Sequence, residues 1–137
     1  PDFYDVAVSG AGNHDNRTYE DDWGEKWQGL LEENEDGSTN YDNQATQLEV
    51  DNLKGKLLIA HGTMDTNVPP NNTLVLVEKL MNANKDFDLL MFPNSGHGFR
   101  QRDYWMRRRW DYFVKHLIGT EPPKEYVFGE RPPRQSL

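Results

Sequence analysis

LLIAHGTMDTNVPPNNTLVLVEKLMNANKDFDLLMFPNSGHGF, residues 57–99, sets the architecture of this chain. Leu57-Leu58-Ile59-Ala60 and the run from Phe87 to Phe92 are too short and too continuously apolar for helices. Both therefore read as buried strands of a parallel sheet, with Thr73 to Asn84 as the crossover helix between them. Each strand runs into a glycine-bearing loop, and each loop carries one residue able to handle a proton: Asp65 in the first, His97 in the second. In open parallel sheets ligands bind beyond the carboxyl ends of the strands, where both loops lie, so the two side chains are predicted to meet.

A carboxylate paired with an imidazole is the orienting half of a nucleophilic triad. The carboxylate accepts from one ring nitrogen, fixes the tautomer, and stabilises the imidazolium formed when the other nitrogen takes a proton from a serine. In hydrolases built on such a sheet the chain order is Ser, then Asp or Glu, then His, with the serine on a G-x-S-x-G elbow between strand and helix. Asp65 and His97 follow that order. None of Ser9, Ser38, Ser95 and Ser136 has glycines two positions before and two after it. Ser95 comes nearest, in Pro93-Asn94-Ser95-Gly96-His97, but it shares the histidine's own loop and has no strand-to-helix turn. With no cysteine, a thiol cannot substitute. His61, at the strand end beside Gly62, is expected to buttress its loop by local hydrogen bonding rather than to transfer protons.

The stretches Leu58-Ile59-Ala60-His61-Gly62-Thr63-Met64-Asp65-Thr66-Asn67-Val68 and Pro93-Asn94-Ser95-Gly96-His97-Gly98-Phe99 resemble the C-terminal third of the peptidase domain of the prolyl oligopeptidase family, especially its dipeptidyl peptidase IV and acylaminoacyl peptidase branches. The opening Pro1-Asp2-Phe3-Tyr4-Asp5-Val6-Ala7-Val8-Ser9-Gly10-Ala11-Gly12 resembles the segment that follows the nucleophile helix in those enzymes. The resemblance runs from residue 1 to about residue 119. It implies an α/β chain, the C-terminal portion of an α/β-hydrolase fold, with about three parallel strands and flanking helices, and with the N-terminal strands and nucleophile elbow lying upstream. It further implies Asp65 and His97 as catalytic residues of a serine peptidase, a peptide substrate, and the rest of the catalytic domain as a partner. Asn67 matches the position whose amide touches the substrate's backbone carbonyl, and Val68 the one flanking the side-chain pocket. Alone, such a chain is expected to be inactive for want of its nucleophile. An esterase with the same machinery, or a non-catalytic binding or scaffold module that keeps the sheet, remains the alternative.

Size and composition set outer bounds. A chain of 137 residues fits one domain, whereas a complete α/β-hydrolase needs roughly 250. The net charge of -8 argues against nucleic acid and anionic membranes as partners, since both demand a basic footprint. Zero cysteines exclude disulfides and thiolate metal sites, and no stretch approaches a membrane span. Triad chemistry calls for no cofactor.

Taken in order, Asp5 to Ser9 reads as a strand leaving the sheet through Gly10-Ala11-Gly12. Its missing neighbour would leave an apolar edge, so self-association through Val6 to Val8 is expected. Residues 13–29 are polar with interleaved aromatics and read as an excursion above the sheet. In the family this region lines the pocket for the side chain before the scissile bond, which singles out Tyr19 and Trp23. An aromatic box suits proline, whose ring is apolar and offers no N–H, yet the same rings would also serve simply to cover the sheet. His14 and Asp15 lack a third ligand nearby and read as loop residues rather than a metal site. Glu32, Glu33, Glu35 and Asp36 do not match a calcium loop and read as a solvated face.

Asn43 to Val50 reads as a short helix. Asn72 is a predicted N-cap, and the helix after it is predicted to turn Leu74, Val75, Val77, Leu80 and Met81 inward. Arg102 to Leu117 reads as a closing amphipathic helix that buries Trp105, Met106, Trp110, Phe113, Val114 and Leu117, with Arg107-Arg108-Arg109 as a solvated or salt-bridged face. Residues 120–137, with Pro122-Pro123 and Pro132-Pro133, read as an extended tail.

Overall fold

The computed structural model describes residues 3–129. Three strands, β1 (Val6–Gly10), β2 (Lys56–Gly62) and β3 (Asp88–Phe92), form one parallel sheet in the order β1-β2-β3. Ile59 pairs with Ser9 on one side and with Leu89 on the other, so β2 is the central strand. Being covered on both faces, it is the strand that reads as an unbroken apolar run: Leu58, Ile59 and Ala60 are buried. β1 and β3 lie at the edges and are only partly covered.

Alternation along β2 separates two cores. Ile59 faces helix α2 (Asn71–Asn82) and packs with Leu76, Val77 and Leu80, while Val50, Leu53, Leu57 and Phe87 close the rim. Ala60 faces the other way, into Ala11, Phe92 and Phe99, with Trp105 of helix α3 (Arg102–Phe113) against them. Phe92 and Phe99 stack at 4.6 Å, and Trp105 meets both rings edge-on. The crossover from β2 through α2 to β3 is the predicted βαβ unit, and its effect is to bring the β2 and β3 exit loops side by side.

Several expectations need correction. Helix α2 starts at Asn71, and Asn72 is not its cap: the cap position is Pro70, and Asn72 is buried inside the first turn. The buried stripe is Thr73, Leu76, Val77 and Leu80, at the i, i+3, i+4, i+7 spacing, while Leu74 and Met81 are 48 % and 67 % exposed. Asn43 to Val50 is no helix. The region forms three separate 3-10 turns, Asp42–Gln44, Thr46–Leu48 and Val50–Asn52, in a segment whose polar side chains bond back to nearby backbone.

Helix α3 ends at Phe113 and widens into a π-helical turn, Val114–Ile118, that stops at Gly119 in the left-handed conformation. Its predicted apolar stripe is therefore broken. Tyr112 is buried, Trp105 half-buried, and Trp110, Phe113 and Leu117 exposed. Trp110 instead takes Phe128 edge-on at 5.4 Å, which lays residues 120–129, free of helix and strand, back along α3. Arg107 pairs with Asp111 at 3.3 Å, and Arg107, Arg108 and Arg109 sit over the Tyr104 and Trp105 rings. Pro132-Pro133 lies outside the described residues, within which no helix is long and apolar enough to cross a membrane.

Candidate active site

The two exit loops are stitched together by backbone before any side chain takes part. Thr63 N donates to Phe92 O at 3.0 Å and Met64 N to Ser95 O at 3.0 Å. Asn94 N donates to Thr63 Oγ1 at 3.0 Å. This close approach is why position 62 is glycine: a Cβ there would stand 2.3 Å from Ser95 O and 2.6 Å from Gly96 O, inside contact distance of backbone that cannot step aside. Ser95 is wholly buried, donates from Oγ to Gln101 Oε1 at 2.8 Å and accepts from Arg100 N at 3.1 Å. Its hydroxyl holds the loop in shape.

On this base the loops bring Asp65 and His97 together, with His97 Nδ1 2.9 Å from Asp65 Oδ2. Asp65's side chain is 0 % exposed and His97's 48 %. Asp65 Oδ1 accepts from Asn67 N at 3.0 Å and Val68 N at 3.1 Å, so the buried carboxylate is solvated by the turn that carries it. A carboxylate only accepts, so His97 Nδ1 carries the proton and Nε2 keeps its lone pair. Among the described residues Nε2 has no hydrogen-bond partner. This is the tautomer a general base needs.

His61 is wholly buried behind them. Its Nε2 lies 2.9 Å from Val68 O and 3.3 Å from Asp65 Oδ2, and its Nδ1 2.7 Å from Thr73 Oγ1. Both neighbours of Nε2 are acceptors, so Nε2 bears the proton and the Thr73 hydroxyl donates to Nδ1. The expected loop buttress is present. Its contact with the carboxylate was not foreseeable, because it depends on where the strand-end ring turns.

The aromatic excursion reaches the same rim. Tyr19 donates its hydroxyl to Asn67 Oδ1 at 3.0 Å, and its ring meets Trp23 edge-on at 6.2 Å. Trp23 lies on helix α1 (Asp21–Gln28) and is 5.8 Å from Trp27, one turn on. Tyr19, Trp23 and Asn67 thus form one strip beside the acid–imidazole pair. Trp27 extends it, and its i, i+4 spacing from Trp23 was the signal that could have identified it. Val68 differs: its side chain is buried, and its backbone serves Asp65 and His61.

His14 and Asp15 lie in the loop before the 3-10 turn Asn16–Thr18, as expected of loop residues, but both are buried. His14 N and Asp15 N both donate to Asn72 Oδ1, at 3.1 and 3.3 Å, and Asn72 Nδ2 donates to Thr18 O at 3.0 Å. Burial, and secondly His61 nearby, lowers the His14 pKa from 6.5 to about 4, leaving a neutral ring whose Nε2 has no partner. Burial pushes the Asp15 carboxyl up, but hydrogen bonds from Arg17 and Gln47 outweigh it and hold it below the usual range. No group of three or more metal-ligating acid, histidine or cysteine side chains occurs among the described residues.

Comparison with known proteins gives a consistent picture. Residues 1–120 match the prolyl oligopeptidase family. Dipeptidyl peptidase 4 of Trichophyton equinum is 35 % identical over 136 residues, which is 95 % of this chain and 16 % of that protein. Dipeptidyl peptidase family member 1 of Caenorhabditis elegans is 32 % identical over 74 residues, covering 53 % of this chain and 9 % of the relative. A solved Bacteroides ovatus protein named for dipeptidyl aminopeptidase IV superposes with a TM-score of 0.76 at 28 % identity, over 85 % of this chain and 16 % of its own. Porphyromonas gingivalis dipeptidyl peptidase 4 shares the fold, with a TM-score of 0.65 at 23 % identity over 78 % of this chain and 16 % of its own. The chain thus covers about a sixth or less of the length of such relatives, from 9 % to 16 %.

Proposed function

We propose, from the premise that this chain belongs to the prolyl oligopeptidase family, that it carries the acid and the imidazole of a serine-peptidase triad. The observation that carries this reading is the 2.9 Å contact between His97 Nδ1 and a buried Asp65 Oδ2, which leaves Nε2 free at the rim of the sheet. The parent is a peptide hydrolase of the dipeptidyl or prolyl type. Its serine and oxyanion donors come from outside these residues, since no serine here stands on a G-x-S-x-G elbow.

In the reaction the serine oxygen attacks the scissile carbonyl while His97 Nε2 takes its proton, and Asp65 stabilises the resulting imidazolium. The imidazolium then gives that proton to the leaving amine as the C–N bond breaks, leaving an acyl ester. Water attacks the ester, passing a proton to Nε2, and the serine regains it as the acid departs. Tyr19 and Trp23 supply an apolar wall suited to a proline ring, and Asn67 an amide for the substrate backbone. Tyr19 holds Asn67 through its hydroxyl, which links wall to amide. The edge of β1 that has no strand partner among the described residues is where a neighbouring strand from the rest of the catalytic domain would pair.

The test is complementation. The isolated chain is expected to show neither turnover nor burst on a prolyl dipeptide chromogenic substrate, and adding the serine-bearing region in trans should confer activity. In that complex Asp65→Asn should lower kcat by about 10^4 through loss of the correct tautomer. A burst from the isolated chain, or full activity with His97→Ala, would overturn the reading.

A further inference from the structure

Two neighbouring residues on the first turn of α2 point into different halves of the site. Thr73, wholly buried, donates to His61 Nδ1, and the opposite nitrogen of that ring touches Val68 O and Asp65 Oδ2. Asn72, also buried, holds His14 N, Asp15 N and Thr18 O, the backbone immediately before Tyr19. Both side chains are committed to these partners. Asn72 accepts twice and donates once, and its bonds bridge more than fifty positions of sequence.

We propose that this turn is a two-armed positioning device, in which Thr73 sets the acid–imidazole pair through His61 while Asn72 sets the aromatic strip through the backbone of residues 14–18. It rests on the peptidase reading for its catalytic meaning, though not for its geometry. Thr73 and Asn72 touch no reacting atom, so they are positioning residues. On the first arm, the hydroxyl fixes His61 with Nε2–H donated to Val68 O and the same nitrogen 3.3 Å from Asp65 Oδ2, so His61 and His97 approach the same carboxylate oxygen. Without the hydroxyl, His61 Nδ1 loses its only donor in a buried site, and the ring is free to turn or change tautomer. The Nε2–H dipole that stands 3.3 Å from Asp65 Oδ2 is then no longer held beside the oxygen that accepts from His97. On the second arm, loss of the carboxamide orphans two backbone N–H groups and one carbonyl, and the segment leading into Tyr19 is no longer fixed to α2. Tyr19 must then find Asn67 without that anchor.

The two arms make separable predictions from adjacent positions. In the 137-residue chain, ring proton–nitrogen NMR of its four histidines reads the first arm, and Overhauser contacts between the Tyr19 and Trp23 rings read the second. Thr73→Val should shift the His97 Nδ1–H signal and leave the ring contacts intact, with Thr73→Ser restoring the signal. Asn72→Ala should weaken the ring contacts and leave the His97 signal in place. If Asn72→Ala does not fold, Asn72→Asp, which keeps the acceptor and removes the donor to Thr18 O, reads the same arm. Both variants moving both readouts, or neither variant moving its own, overturns the proposal. In the complex with the serine-bearing region, Thr73→Val should lower kcat by up to about 100-fold with KM held, and Asn72→Ala should raise KM for a prolyl dipeptide with the smaller effect on kcat. A clean split in the spectra with no peptide turnover in any form keeps the device and removes the peptidase reading. Turnover without the split does the reverse.

Discussion

Asp65 has both carboxylate oxygens engaged, Oδ1 by two backbone N–H groups and Oδ2 by the His97 imidazole, with His61 Nε2 3.3 Å away, and that is how a charge with no solvent exposure is tolerated. The pairing with His97 was legible because residue type, chain order and strand-end position all converge on it. His61, Thr73 and Asn72 were not, because which way a buried polar side chain turns is set by tertiary contact rather than by local pattern. His14 gives a prediction at this scale. Its folded pKa of about 4 lies below the ordinary 6.5, so as pH falls through that window the unfolded chain takes up a proton that the folded chain refuses. The stability is fully present above pH 6.5, is lost on the way down to 4, and the loss levels off below that. At 1.36 kcal/mol per unit, wild type should lose roughly 2–3 kcal/mol more than His14→Gln between pH 7 and 4.5 in urea unfolding, and equal losses would contradict the assignment. Gly62→Ala is the steric counterpart: the new methyl would meet Ser95 O and Gly96 O, costing about 1–3 kcal/mol and prising His97 from Asp65. Unchanged stability together with an unchanged His97 ring signal would show that the loops can yield.

Elements were legible where one covering face decides them and less so where packing does. The continuous run in β2 announces a central parallel strand, and the apolar runs around it place β1 and β3. Helix α2 was legible as a helix but not in rotation, since its apolar positions 74–77, 80 and 81 fit more than one stripe. The observed rotation predicts a sharp contrast. Leu76→Ala should cost about 2–5 kcal/mol by leaving a cavity against Ile59, while Leu74→Ala should stay within about 0.5 kcal/mol, both read from denaturant midpoints. Equal effects would contradict it. Helix α3 was over-extended because its aromatic spacing continues through residues that adopt a π-helical turn, and no sequence signal marked that change.

For the molecule as a whole, the informative feature is what the sheet leaves uncovered. Among the described residues β1 pairs only with β2, and beside it an apolar depression of about 340 Å³ is lined by Ala7, Val50, Leu53, Leu57, Leu76 and Leu80. An open edge next to apolar surface favours pairing with another strand. The isolated chain should therefore self-associate, seen as a concentration-dependent mass in size exclusion with light scattering. Val8→Lys should reduce the effect, and a clean monomer at high concentration would count against it. The family was legible from the loops at residues 58–68 and 93–99, where residue types and spacing are distinctive, whereas the surface of α3 carries no comparable motif. The central claim is that the Asp65–His97 pair activates a serine lying outside these residues. Its most direct test is the rate at which a serine-directed phosphonate labels the complex of this chain with the serine-bearing region. The account predicts labelling at a single serine outside residues 1–137, slowed by about 10^3-fold or more in His97→Ala; labelling on Ser95, or an unchanged rate in that variant, would contradict it.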